Sequence, residues 1–157
     1  MSIGSDYVMT SGKITLAASA TKSLILLAPA ASTSVLITGL SISMDASALE
    51  ASVQLDLYRV ATLGTPVGSS TLVPQPMNEA TTPATANTTA LYNLTTEPTT
   101  VTVLESWYLQ PVGGLLVVQL PLGREYGAKA SGAHLGIRAI TPASVTPDII
   151  ANIQFEE

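Results

Sequence analysis

The sequence predicts an all-β protein: an antiparallel β-sandwich, jelly-roll-like, of about eight strands with one long loop insertion. Three observations predict it. Strict alternation of apolar and polar side chains recurs, most cleanly at Val53, Leu55 and Leu57 against Ser52, Gln54, Asp56 and Tyr58. Turn residues bound almost every such run, as Pro29, Gly113-Gly114, Pro142 and Pro147 do. Helical periodicity is nowhere sustained. An immunoglobulin-like sandwich is the second choice, but the Cys–Trp–Cys pattern of that fold is lacking.

In chain order, residues 1–11 carry Ile3, Tyr7, Val8 and Met9 without a clear period, and are expected to form an N-terminal arm ordered against a neighbour. Residues 12–157 then form a single domain. Residues 13–18 alternate through Ile14, Leu16 and Ala18, and residues 23–28 are a short apolar run ending before Pro29. Residues 34–45 read as a long strand with Leu36, Leu40, Ile42 and Met44 on one face, and with Gly39 marking a bulge or bend. Residues 51–61 are the next strand.

Residues 62–100 change in texture: Pro66, Pro74, Pro76, Pro83 and Pro98 stand among Thr and Ala, with few long apolar side chains. So long a connection is functional or disordered. Leu91, Tyr92 and Leu94 anchor it, which predicts an ordered excursion. Residues 101–125 hold the single Trp and read as two apolar strands joined in a hairpin at Pro111-Val112-Gly113-Gly114. Val101, Val103, Trp107 and Leu109 share one face, and Leu116, Val118, Leu120 and Leu122 do the same on the return strand. Residues 133–141 and 149–155 are the last strands.

Charged residues are 11% of the chain, against about 25% in an ordinary soluble domain. A monomer usually covers itself with such residues. The deficit, filled by Thr, Ser and Ala, predicts a surface covered by other subunits, or else a Thr/Ser-rich sheet that is soluble alone. A net charge of −5 with scattered Lys and Arg argues against a nucleic-acid partner. No run approaches the roughly 18 apolar residues of a membrane span, so no membrane partner is expected. There is no cysteine, hence no disulfide or thiolate chemistry. The first residues lack the pattern of a secretion signal.

Catalytic chemistry is not expected, and no cofactor or metal is assigned. His134 is the single histidine and alternates with Leu135 and Ile137, away from the apolar face. Asp45, Glu50, Glu79, Glu97 and Asp148 sit at turns and strand ends rather than converging as glycoside hydrolysis or calcium binding requires. Glu105 falls on the Trp107 face and Arg59 on the Leu57 face. An inward carboxylate needs a partner, so a structural Glu105–Arg59 ion pair is expected, with Arg138 as second choice.

The pattern Glu105-x-Trp107, Pro111 with Gly113-Gly114, Gln119, Pro-Leu-Gly-Arg-Glu at 121–125, Gly136-Ile137-Arg138 and Phe155-Glu156-Glu157, preceded by Glu97-Pro98-Thr99, is similar to small β-sandwich virion proteins of tailed bacteriophages, of the capsid decoration or cement type. The resemblance covers most of residues 95–157 and the first half loosely. It implies a structural protein, not an enzyme, made in the bacterial host cytoplasm and carried on the outer capsid surface of the virion. There a homotrimer would bind the major capsid protein lattice and stabilise it. Ile3, Tyr7, Met9, Pro74, Pro76, Met77, Leu91 and Tyr92 are the expected capsid or subunit contacts; local packing at one end of the sandwich is the competing reading for them. A neck, tail or fibre-base component is the first alternative. A carbohydrate-binding module is the second, and it would use Tyr58, Tyr108 or Tyr126.

Overall fold

A computed structural model of the chain describes residues 5–46, 51–61, 70–78, 85–92, 94–129 and 132–157. Its strands are β1 (Asp6–Thr10), β2 (Ile14–Thr15), β3 (Thr21–Ala28), β4 (Val35–Asp45), β5 (Val53–Val60), β6 (Ser70–Leu72), β7 (Gln75–Pro76), β8 (Thr89–Tyr92), β9 (Thr102–Leu109), β10 (Leu115–Gln119), β11 (Tyr126–Ala128), β12 (His134–Ile140) and β13 (Asp148–Glu156). No helix occurs among the described residues, and every pairing is antiparallel.

The strands form two sheets. The first runs β10-β4-β13-β1-β7, with β11 also on β4 and β2 also on β13; the second runs β6-β8-β3-β12-β5-β9. Their inner faces meet in one core in which Ile37, Ile42, Leu55, Ile137, Ile153 and Phe155 are fully buried. This is the predicted β-sandwich.

The long strand β4 shows how one residue resets a face. Its register with β13 slips so that Gln154 opposes Gly39 while Phe155 opposes Ile37. Thr38 is the extra residue of a bulge, at the position Gly39 signals in the sequence. Val35 and Ile37 point inward before the bulge, and Leu40, Ile42 and Met44 after it. Leu36, expected inward, is therefore on the solvent side.

Residues 6–10 are not an arm. Asp6–Thr10 pairs along its length with β13, and Tyr7 and Met9 lie in the core at 1% and 3% exposure. Tyr7 stacks on Phe155 with ring centroids 5.5 Å apart. The alternation of Tyr7, Val8 and Met9 is that of a strand buried on one face; three residues were too few to declare it.

Residues 101–125 are not a hairpin either. β9 pairs β5 in the second sheet and β10 pairs β4 in the first, so the turn at 111–114 carries the chain from one sheet to the other. Gly114 is needed there, because a Cβ would sit 2.1 Å from the carbonyl oxygen of Gln110. The excursion between β5 and β9 is likewise woven in: β6 and β8 extend the second sheet, and β7 pairs β1 in the first.

The excursion has a second consequence. Residues 94–101 fold back over the outer face of the second sheet, where Leu26, Tyr58, Val60 and Leu94 form a satellite core with Leu91 and Val101 packed on it. Around Leu26, Tyr58 and Val60 that sheet is thus buried on both faces, whereas its β9 edge at Tyr108 and the outer face of the first sheet are open.

Candidate docking surface

The polar groups of the covered sheet serve the fold. Ser106, Asp56, Arg138 and Ser23 lie in register across β9, β5, β12 and β3. Asp56 is 1% exposed and accepts from Ser106 Oγ at 2.7 Å, Gln54 Nε2 at 2.8 Å and Arg138 Nε at 3.0 Å. Burial alone would push its carboxyl pKa up; these donors outweigh that and hold it below the usual range. Arg138 also lies 5.5 Å over the Tyr58 ring. The Tyr58 hydroxyl and Ser23 Oγ share a hydrogen bond of 2.7 Å, and Glu97 accepts from Ser23 N at 2.9 Å. Lys22 Nζ donates to the Leu94 carbonyl. These contacts fasten residues 94–97 onto the sheet.

The expected Glu105–Arg59 pair does not form. Glu105 opposes Leu57, while the bulge at Leu104 shifts the register so that Arg59 opposes Thr102. Glu105 instead accepts from the Tyr126 hydroxyl at 3.0 Å, and Arg59 Nη2 donates to the Gly127 carbonyl at 2.7 Å. Both ends thus tie the second sheet to β11 in the first. The second choice, Arg138, is committed to Asp56.

The expected contact residues divide. Ile3 lies outside the described residues. Tyr7 and Met9 are core side chains, and their burial removes them as contact residues. Pro74 is buried and Pro76 pairs Tyr7. Leu91 and Tyr92 are half-buried on β8, packed against the satellite and main cores respectively. Of these residues Met77 alone is strongly exposed, at 51%.

Nothing described converges as a catalytic centre. His134 is half-buried at the start of β12, and burial lowers its pKa. Among the described residues no three His, Cys, Asp or Glu lie close enough to share a metal ion. Of the tyrosines considered for sugar stacking, Tyr58 is fully buried and Tyr126 is half-buried against Glu105. Tyr108 is 72% exposed and forms no ring pair among the described residues.

What remains is the open face of the first sheet, and strand register builds it row by row. Leu115, Ser43 and Ile150 form one row. Val117, Ser41, Asn152 and Thr10 form the next, and Gln119, Gly39, Gln154, Val8 and Gln75 the third. None of these side chains is charged. Asn152 Nδ2 donates to Ser41 Oγ at 3.1 Å and Gln119 Nε2 to Gln154 Oε1 at 3.4 Å, so the amides are partly engaged with their own neighbours.

Among the described residues of this face, charge appears only at the two ends. Asp45 opposes Asp148 at one, with Lys13 Nζ 2.6 Å from Asp148; Glu156 opposes Leu36 beside Asp6 at the other. The Lys13 contact and a hydrogen bond from Thr15 lower the Asp148 pKa. The low charge of the chain is thus expressed on this open sheet face, and sequence reasoning did not locate it. The signal was there in the polar positions of residues 39–43 and 150–154, which are Gly, Ser, Asn, Gln and Ile rather than Lys or Glu.

No protein family, curated protein or solved structure matches this chain.

Proposed function

We propose that this chain is a structural virion protein that decorates a bacteriophage capsid, docking on the major capsid protein lattice through the outer face of its first sheet. The observation that carries the reading is the uncharged row structure of that face, framed by acidic ends at Asp45/Asp148 and Asp6/Glu156. Hydroxyls, amides and short aliphatic groups lose little on leaving water once paired, whereas a charged face would incur a large desolvation cost. The acidic ends suit a partner with basic groups flanking a neutral centre. Weak contacts repeated over a lattice gain avidity, and a protein that binds the assembled shell but not its free subunits stabilises the shell by linkage. The homotrimer implied by the resemblance is part of the same proposal.

The test is cosedimentation of the purified chain with shells assembled from the major capsid protein of the phage that encodes it. Binding that Asn152→Lys abolishes while Thr71→Lys leaves it intact supports the reading. Absence of binding to both immature and expanded shells overturns it. Copy number separates this from a neck, tail or fibre-base role: hundreds of copies per particle place it on the shell, a dozen or fewer elsewhere.

A further inference from the structure

The edge strands of this sandwich are not alike. β6 and β7 are short, at 3 and 2 residues. β9 is blunted by the bulge opposite Leu57 and Tyr58. Short strands and bulges are the usual protection of an edge. β10 has neither: Leu115–Gln119 runs in unbroken register along β4 with no charge and no proline. No other described strand pairs it.

The direction of its free backbone groups follows from two bonds. Met44 N donates to Gly114 O, and Leu120 N donates to Thr38 O, both at 2.9 Å. Even-numbered residues therefore face β4, and the N–H and C=O groups of Leu115, Val117 and Gln119 face outward. The side chains of the same residues stand on the open face, Leu115 at 66% and Val117 at 59% exposure.

We infer that β10 pairs antiparallel with β10 of a second copy of this chain, across a two-fold axis at Val117. In that register Val117 opposes Val117 of the second copy and Leu115 opposes Gln119, so every outward N–H and C=O of both strands finds a partner. A register slipped by a residue pair leaves some of them unpaired. Charge permits the contact: residues 112–122 carry none, so two molecules of net charge −5 meet at the stretch where they repel least. An isologous edge contact of this kind is two-fold by construction. It leaves a three-fold contact elsewhere on the molecule free to form, and it stands independently of capsid binding.

The absence of cysteine makes the test clean. Val117→Cys, treated with a short bismaleimide, is expected to give a covalent pair on a denaturing gel; Thr10→Cys, exposed on the same sheet but far from β10, is expected to stay single. Sedimentation equilibrium from micromolar to millimolar is expected to show an assembly whose mass Val117→Lys halves. Val117→Pro removes an outward N–H and no hydrogen bond to β4, and is expected to act likewise, with circular dichroism verifying the fold of both variants. A single-copy mass at every concentration overturns the inference. So does an assembly that Val117→Lys leaves intact, or a failure of Val117→Cys to cross-link.

Discussion

Asp56 and Arg138 face each other across β5 and β12 at 3.0 Å, with 1% and 17% of their side chains exposed, on a sheet face that the sequence reads as solvent. The asymmetry of burial decides what each substitution does. Arg138→Met strands a charged carboxylate inside and is expected to cost roughly 3 kcal/mol at neutral pH. Asp56→Ala leaves an arginine that can turn toward water, and is expected to cost less. The double variant Asp56→Leu/Arg138→Met is expected to be more stable than Arg138→Met alone, because no buried charge remains. Urea unfolding of the three checks the order.

The same pair sets an acid limit. The Asp56 pKa is lowered in the folded protein, so the native state binds fewer protons than the unfolded chain near the ordinary aspartate value of about 4. Its contribution is present above that value and is lost as pH falls through the folded pKa. In Arg138→Met part of that depression disappears, and the fall in stability on acidification is expected to be shallower than in the parent. Thermal unfolding midpoints measured from neutral to acid pH read it directly.

Tyr58 predicts behaviour at the alkaline end and the cost of a single methyl group. Burial raises its pKa far above the ordinary tyrosine value of about 10. The stability that goes with its neutral hydroxyl is complete below that value and is lost as pH rises beyond it. Its ring also lies over Gly136, where a Cβ would meet the Tyr58 Cζ at 2.7 Å and Leu26 Cδ1 at 2.8 Å. Both neighbours are fully buried and cannot swing away. Gly136→Ala is expected to cost about 2 kcal/mol by overpacking. At Gly39 the nearest atoms are the ends of Gln154 and Gln119, which can move, so Gly39→Ala is expected to be close to neutral. Denaturant midpoints of the two variants side by side give the contrast.

These residues also mark how far the sequence could be read. The period-two pattern at Val53, Leu55 and Leu57 identified the core face of β5. It could not say that the opposite face, with Asp56 and Tyr58, is covered by a distant segment, because alternation reports which side a residue takes and not what lies above it. The Pro111–Gly114 chemistry announced a turn, but a hairpin and a corner between sheets make the same local demand, and only pairing to β5 and β4 distinguishes them. Gly39 was readable as a bulge; the reversal of face it imposes on Leu36 was not, since that depends on where the extra residue sits. The low charge foretold a covered or uncharged surface, and the row structure across β10, β4, β13 and β1 was needed to locate it.

Glu157 gives a local prediction. Its carboxylate accepts from Asn87 N at 2.7 Å and Thr88 N at 2.9 Å, and its backbone pairs with Ser5 in both directions. Tyr7 Oη adds a hydrogen bond to the Thr85 carbonyl at 3.4 Å. Glu157→Ala removes the acceptor for two backbone donors while leaving the core untouched. Loss of roughly 1 kcal/mol locally corresponds to about a fivefold rise in opening. Hydrogen exchange is expected to accelerate by that factor at Asn87 and Thr88 and to stay unchanged in β5 and β12.

Glu105 and Arg59 provide the last test, because two arrangements of these side chains predict different couplings. In the structure Glu105 holds Tyr126 and Arg59 holds Gly127, adjacent residues of β11, without touching each other. The hydrogen bond from Tyr126 to Glu105, more than burial, raises the Tyr126 pKa. Glu105→Ala is therefore expected to return the Tyr126 ionisation toward the ordinary tyrosine range, which an ultraviolet titration reads. A cycle of Glu105→Ala with Tyr126→Phe is expected to show coupling of roughly 1 kcal/mol, and Glu105→Ala with Arg59→Met a smaller value transmitted through β11. Were the second coupling the larger, the two side chains would be in direct contact, and the bridge between the sheets would be an ion pair instead of separate hydrogen bonds to one short strand.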